Sequence, residues 1–158
     1  MAVAARLEVP PTTATPTTAT PTTATPTTTA PRPTSAADER WLEALARLST
    51  KLDEPFAEQT FELTPAKTRS LERLFRGCGR ELARLGSPSD RLRPAYRLAR
   101  QACAQYDKAA KCLATAASLP EGPRKDLAFD CAFTAQWEGS LLLSQAEAEG
   151  LMITAEGG

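Results

Sequence analysis

Apolar residues recur every three or four positions through most of the chain after residue 35, which is the spacing of amphipathic α-helices. Proline and glycine separate four such stretches, and no stretch alternates apolar and polar residues as a β-strand does. The sequence therefore predicts an all-α, up-and-down bundle of about four helices joined by short loops. The predicted helices span roughly residues 37–54, 65–85 and 124–148, with a third helix between the link 86–90 and about residue 118.

Capping residues mark the ends of these helices. Ser35 or Asp38 can cap the first helix, and Thr64 followed by Pro65 is typical of a helix start. Gly86 ends the second helix, because glycine favours the position just after a helix. Pro94 either opens the regular part of the third helix or kinks its first turn.

The fourth predicted helix has apolar side chains on almost every face. We therefore expect it to be the most buried helix, and we expect Trp41, Phe129, Phe133 and Trp137 to pack in the core. The domain should then span residues 35–150, followed by a frayed tail from Leu151 to Gly158. The apolar residues of this helix are Leu127, Phe129, Cys131, Phe133, Trp137, Leu141 and Leu142.

The first 34 residues differ from the rest in composition. A Pro-Thr-Thr-Ala-Thr unit repeats with small drift over residues 10–34. Such a segment buries too little apolar surface to offset the entropy of ordering it, so we predict a disordered Thr/Pro-rich stalk over residues 1–34. Its composition suits O-glycosylation outside the cell, and the alternative is an unmodified intracellular linker.

Composition excludes several kinds of chemistry. The chain has no histidine, which excludes imidazole-based triads, Cys/His zinc sites and haem held by a proximal histidine. No C-x-x-C pair is present, so neither a thioredoxin-like motif nor a four-cysteine metal site is favoured. We find no catalytic motif and expect no enzymatic activity, no cofactor and no metal. The heavy use of Ala, Arg, Leu, Thr and Pro is typical of a GC-rich bacterial genome.

The four cysteines lie on predicted helices and can be paired by helix geometry. Cys103 and Cys112 are nine residues apart on the third helix, about half a turn around it, so they face different neighbours. Folding the helices back at the loops brings Cys78 within two turns of Cys103 and places Cys131 one turn from the level of Cys112. We therefore predict the disulfides Cys78–Cys103 and Cys112–Cys131.

Disulfides persist in oxidising compartments, so the predicted location is extracytoplasmic or secreted. The alternative is a cytoplasmic protein whose four cysteines stay reduced and buried. The first ten residues lack the basic start and the apolar run of a signal peptide, so export requires a start upstream of Met1. No stretch approaches the roughly 18 apolar residues of a transmembrane segment.

Charge is segregated although the net charge is zero. Residues 64–112 carry 12 basic and four acidic residues, whereas the flanking segments are acidic. Arginines recur at helical spacing in this segment and form a possible anion-binding surface: Arg69, Arg73, Arg76, Arg80 and Arg84 on the second helix, and Arg93, Arg97 and Arg100 on the third. The alternative is a solvated face, partly neutralised by the acidic first and fourth helices.

These observations favour a non-enzymatic exported or cell-surface helical module that binds a protein or an anionic envelope polymer. The alternative is an intracellular helical adaptor with reduced cysteines. Nucleic acid is disfavoured as a partner, because Tyr96 and Tyr106 fall on a predicted buried face rather than among the arginines.

Two glycines, Gly77 and Gly79, flank Cys78 inside the second predicted helix. Each costs up to about 1 kcal/mol relative to alanine in a helix. We therefore expect close approach to a neighbouring helix at this point, which would bring Cys78 within bonding reach of its partner.

Overall fold

The computed structural model describes residues 35–57 and 63–156. The described residues form four α-helices and no strand, which confirms the predicted all-α fold. The predicted stalk over residues 1–34 lies outside the described residues. The helices are α1 (Ala36–Asp53), α2 (Pro65–Arg84), α3 (Arg93–Ser118) and α4 (Pro123–Ala155), with 3-10 turns at Glu54–Phe56 and Asp90–Leu92.

The helix starts follow the local sequence. The Ser35 hydroxyl accepts a hydrogen bond from the backbone N–H of Asp38 at 3.2 Å, so Ser35 is the cap of α1. Thr64 caps α2 in the same way, and Pro65 occupies the first helical position. Gly86 follows α2 with a φ of +74°, a backbone conformation that glycine adopts without strain. Pro94 lies in the first turn of α3, where its missing N–H costs no helical hydrogen bond.

The end of α4 differs from the prediction. The helix continues to Ala155 rather than ending near residue 148, and the expected frayed tail is helical from Leu151 to Ala155. Ile153 packs against the core, and its carbonyl accepts a hydrogen bond from the Arg91 guanidinium at 3.1 Å. Gly150 does not end the helix but contacts α1, since a Cβ at this position would lie 2.3 Å from Cδ2 of Leu42.

In the bundle α3 packs along both α2 and α4, and α1 contacts α4 and α2. The helices α2 and α4 therefore occupy opposite corners. An aromatic cluster fills the centre: the ring of Phe75 lies 5.2 Å from that of Tyr106, and Phe56 stacks on Phe75 at 6.1 Å. The largest fully buried side chains are Tyr106, Phe75, Leu45, Leu52, Leu92, Leu113 and Leu143.

Small residues line the contact between α3 and α4, and this overturns part of the prediction for α4. Its buried face consists mainly of alanine and glycine, whereas Leu127, Trp137 and Leu141 are exposed. Small side chains let two helix backbones approach closely, and α3 presents alanines in return. The expected core position of Trp137 is therefore wrong, while that of Trp41 is confirmed, and Phe129 is partly buried against the core. The small buried residues of α4 are Ala128, Ala132, Ala135, Gly139, Ala146 and Gly150.

The two glycines of α2 do not serve the close helix contact that the sequence suggests. A Cβ added at Gly77 or Gly79 would meet nothing within 4 Å. Cys78 thus reaches its partner without any special approach of the backbones at the flanking glycines.

Two polar contacts tie α1 to other elements. The buried carboxylate of Asp38 accepts hydrogen bonds from the N–H and the hydroxyl of Ser89, at 3.1 and 2.8 Å. The indole Nε1 of Trp41 donates to the carbonyl of Gly86 at 3.1 Å. The start of α1 is therefore fixed to the loop between α2 and α3.

A second polar cluster lies at the end of α1. The Asp53 carboxylate accepts hydrogen bonds from the hydroxyls of Ser140 and Tyr106, at 3.0 and 3.4 Å. Burial raises the pKa of Tyr106 well above its usual value of 10.0, and the nearby negative charge of Asp53 raises it further. The phenol is therefore held in its neutral form.

The disulfides connect Cys78 with Cys103 and Cys112 with Cys131, the two pairs that the sequence predicts. Their Cα atoms lie 5.3 and 5.9 Å apart. The helix α3 is thus covalently linked to α2 on one side and to α4 on the other. Among the described helices, none has both the length and the apolar character needed to cross a membrane.

Candidate anion-binding surface

The arginines on α2 and α3 lie on the outside of the bundle. All eight residues singled out from the sequence are exposed. On α2 they project from the side of the helix opposite its buried residues Leu71, Phe75 and Leu82. We call the surface formed by these eight arginines the basic surface: Arg69, Arg73, Arg76, Arg80, Arg84, Arg93, Arg97 and Arg100.

The disulfide Cys78–Cys103 sets the register of the two antiparallel helices. Arg84 lies six residues after Cys78, and Arg97 lies six residues before Cys103. Both arginines are therefore about 9 Å from the disulfide along the helix axes, toward the loop between α2 and α3. One end of the row of arginines on α2 therefore lies at the same level along the helix axes as the arginines of α3.

Few of these charges are neutralised. Arg76 pairs with Glu72 at 2.8 Å, Arg84 pairs with Glu81 at 3.0 Å, and Arg93 pairs with Asp90. Each pair is local, and exposed pairs of this kind contribute only about 0–1 kcal/mol to the free energy of unfolding. In the described parts of the chain, the remaining arginines form no ion pair: Arg69, Arg73, Arg80, Arg97 and Arg100.

The acidic helices do not supply the missing partners. An ion pair between α1 and α2 joins Lys51 of α1 to Glu81 of α2 at 3.9 Å. Its acidic partner therefore belongs to α2 and not to α1. Within residues 35–57 and 63–156, no carboxylate of α1 or α4 pairs with an arginine of the basic surface. The first and fourth helices therefore form no direct ion pair with the basic surface in these residues, while the exposure of all eight arginines is consistent with the alternative of a solvated face.

Two lysines extend the basic row on α3 beyond the arginines. Lys108 and Lys111 are exposed, and Lys111 pairs with Asp107 at 2.6 Å. The helical spacing that places the two lysines on this row is visible in the sequence, because steps of four and three residues lead from Arg100 through Ala104 to both lysines. The prediction from the sequence named only the arginines and did not include these two lysines.

This arrangement suits a multivalent anion better than a single small ligand. Guanidinium groups bind carboxylates and phosphates through paired hydrogen bonds, and several of them in exposed rows on two neighbouring helices can engage successive groups of a polymer. Tyr106 is fully buried, whereas Tyr96 is half-buried and its ring lies 6.2 Å from that of Trp41. Among the described residues, no three Cys, Asp or Glu side chains come together as a metal site.

The fold and its covalent links define a four-helix bundle in which two disulfides fasten α3 to both neighbours. In comparisons with known proteins, no family model, no curated protein and no solved structure matches the chain.

Proposed function

We propose that the protein is a non-enzymatic, exported or cell-surface helical module that binds an anionic envelope polymer through the basic surface. The observation that carries the proposal is the set of five exposed arginines without ion pairs, spread over two helices. Charges left unpaired on a rigid face are available to a ligand without first breaking internal contacts. A polymer of repeating phosphate or carboxylate groups has the matching chemistry.

The disulfides support export. The cytosol keeps most thiols reduced, whereas extracytoplasmic compartments let disulfides form and persist. Each of the two bonds links helices that pack on one another, so both contribute to the stability of the bundle. The interior therefore suits a protein that works outside the reducing cytosol.

Binding is tested with the oxidised full chain and long-chain polyphosphate. We expect affinity to fall by about tenfold or more between 50 and 200 mM salt, because binding releases counterions from the polymer. Reversing Arg73, Arg76 and Arg80 to glutamate should abolish binding. The matched control reverses Arg40, Arg47 and Lys51, which are exposed on α1 and change the net charge equally.

The control variant should keep at least half of the wild-type affinity. Binding that does not change with salt would show that charge does not drive the association. Equal weakening by the two variants would show that net charge rather than the basic surface attracts the polymer, and either result would overturn the proposal.

Location is tested by counting free thiols in protein from its native source. We expect none after alkylation under denaturing conditions. Four free thiols would instead support the intracellular adaptor with reduced cysteines.

A further inference from the structure

A second exposed surface lies on α4, on the side opposite its buried alanines and glycines. Trp137, Leu141, Leu151 and Met152 are 65%, 45%, 62% and 56% exposed. With the exposed Ala148 between them, they form what we call the α4 apolar stripe. Large apolar side chains grouped on one face typically mark a protein interaction site, and tryptophan contributes most strongly to such sites.

The spacing of the stripe is that of a helix-packing seam. From Trp137 it proceeds through Leu141, Ser144, Ala148 and Leu151 in alternating steps of four and three residues. Trp137 and Leu151 are 14 positions apart, which corresponds to about 21 Å of helix. A second helix of about four turns fits along this length.

The edges of the stripe are acidic. Between residues 126 and 156 the chain has six acidic residues and no basic residue. Glu138 and Glu149 lie along one edge of the stripe and Glu147 along the other, all three half-buried. Within the described residues none of the three takes part in an ion pair.

These edges disfavour two possible occupants. If the stripes of two copies of the chain met, glutamates would oppose glutamates in either orientation, since no basic residue is available on these edges. An anionic lipid surface attracts helices with lysine and arginine beside their apolar face, so it would repel this one.

We propose that the α4 apolar stripe docks an amphipathic helix of a partner protein, with lysine or arginine flanking the partner's apolar seam. Leucine-sized side chains would pack around Trp137 and Leu141, while the basic flanks would pair with Glu138, Glu147 and Glu149. The α2 arginines of the basic surface and the α4 apolar stripe lie on opposite corners of the bundle, because α2 and α4 do so. Arg73, Arg76 and Arg80 therefore lie on a helix that does not pack along α4.

The test uses the full oxidised chain and two labelled 21-residue helical peptides of three heptads. Both peptides have leucine at the a and d positions, and one has lysine at e and g where the other has glutamate. Fluorescence anisotropy should show binding of the lysine peptide and at least tenfold weaker binding of the glutamate peptide. The double variant Trp137→Ala, Leu141→Ala should lose at least tenfold in affinity for the lysine peptide, and Glu138→Gln, Glu149→Gln severalfold.

Two controls separate the stripe from other surfaces. Leu127→Ala removes another exposed apolar side chain of α4, ten residues before Trp137, and should leave the affinity unchanged. The triple reversal of Arg73, Arg76 and Arg80 should also leave it unchanged, which distinguishes this proposal from polymer binding. Circular dichroism checks that each variant keeps its fold.

Three results would overturn the proposal. The first is equal binding of both peptides. The second is a dimer in sedimentation equilibrium that Trp137→Ala abolishes, which would make a second copy the occupant. The third is binding to phosphatidylglycerol vesicles that the same substitution abolishes, which would make the stripe a membrane contact.

Discussion

The ring of Tyr106 on α3 lies directly against the backbone of Gly139 on α4. A Cβ atom at position 139 would stand 2.9 Å from Cε2 of this ring and 3.3 Å from the carbonyl oxygen of Ala102. Tyr106 is completely buried, so its ring has little room to move away. The absence of a side chain at Gly139 thus sets how closely the two helices approach.

The substitution Gly139→Ala should therefore lower the free energy of unfolding by about 1–3 kcal/mol through overpacking, even though alanine is the better helix former. In contrast, Gly79→Ala should raise it by up to about 1 kcal/mol, since a Cβ there meets nothing within 4 Å. Urea denaturation of both variants measures the difference. Effects of the same sign would contradict this account of the contact between α3 and α4.

Asp38 should contribute more to stability than its helical neighbour Glu39. The substitution Asp38→Ala removes the acceptor of two hydrogen bonds from Ser89, and we expect a loss of about 1.5–3 kcal/mol in the free energy of unfolding. Glu39→Ala, in the same turn but exposed, should change it by less than about 0.5 kcal/mol. Equal losses in the two variants would show that helix capping rather than the contact with Ser89 matters.

Stability should fall at alkaline pH because of Tyr106. Its pKa is raised in the folded state, mainly by burial and further by Asp53, so the unfolded chain loses the phenol proton first. The contribution to stability is fully present below the ordinary pKa of 10.0 and is lost as pH rises above it.

The measurement compares the free energy of unfolding of the wild type and of Tyr106→Phe at about pH 9 and pH 11. The wild type should lose more stability over this interval than the variant, which has no proton to release. An identical pH dependence would show that Tyr106 ionises in the folded state as easily as in the unfolded chain.

The two disulfides should differ in how their freed thiols react. Either Cys112→Ser or Cys103→Ser should cost about 3 kcal/mol in the free energy of unfolding, because each bond restricts the unfolded chain. The first variant leaves the partly exposed Cys131 thiol, which should be alkylated in the native protein. The second leaves Cys78, only 1% exposed, which should react only when the protein unfolds.

Digestion of the unreduced wild type checks the pairing itself. It should release linked peptides that contain Cys78 with Cys103 and Cys112 with Cys131. A peptide linking Cys103 to Cys131 would contradict the order of the helices.

Removal of residues 1–34 should leave the melting temperature within about 2 °C, because the repeat offers no apolar face to the bundle. Differential scanning calorimetry of the shortened chain tests this. A loss of cooperative unfolding would place the domain boundary before Ser35.

The sequence alone determined the number of helices, most of their ends and the disulfide pairing. Ser35, Thr64 and Pro65 act within one turn of their own positions, so no distant contact is needed to predict them. The pairing followed from the same local geometry, since Cys103 and Cys112 face opposite sides of one helix wherever that helix packs. The arginines of the basic surface were predictable for the same reason, as their spacing places them on the polar side of α2 and α3.

Only the tertiary structure decided which face of α4 is buried. This helix has an apolar residue on nearly every side, so its periodicity does not choose between Trp137 and Gly139 as the inward position. The choice depends on α3, whose buried alanines let the two helix backbones approach closely. Only the face of α4 that has small residues fits into this narrow contact. The same contact leaves Trp137 on the outside of the bundle. At Gly150 a glycine in the sequence suggests the end of a helix, but the glycine packs closely against Leu42 of α1 and α4 continues beyond it.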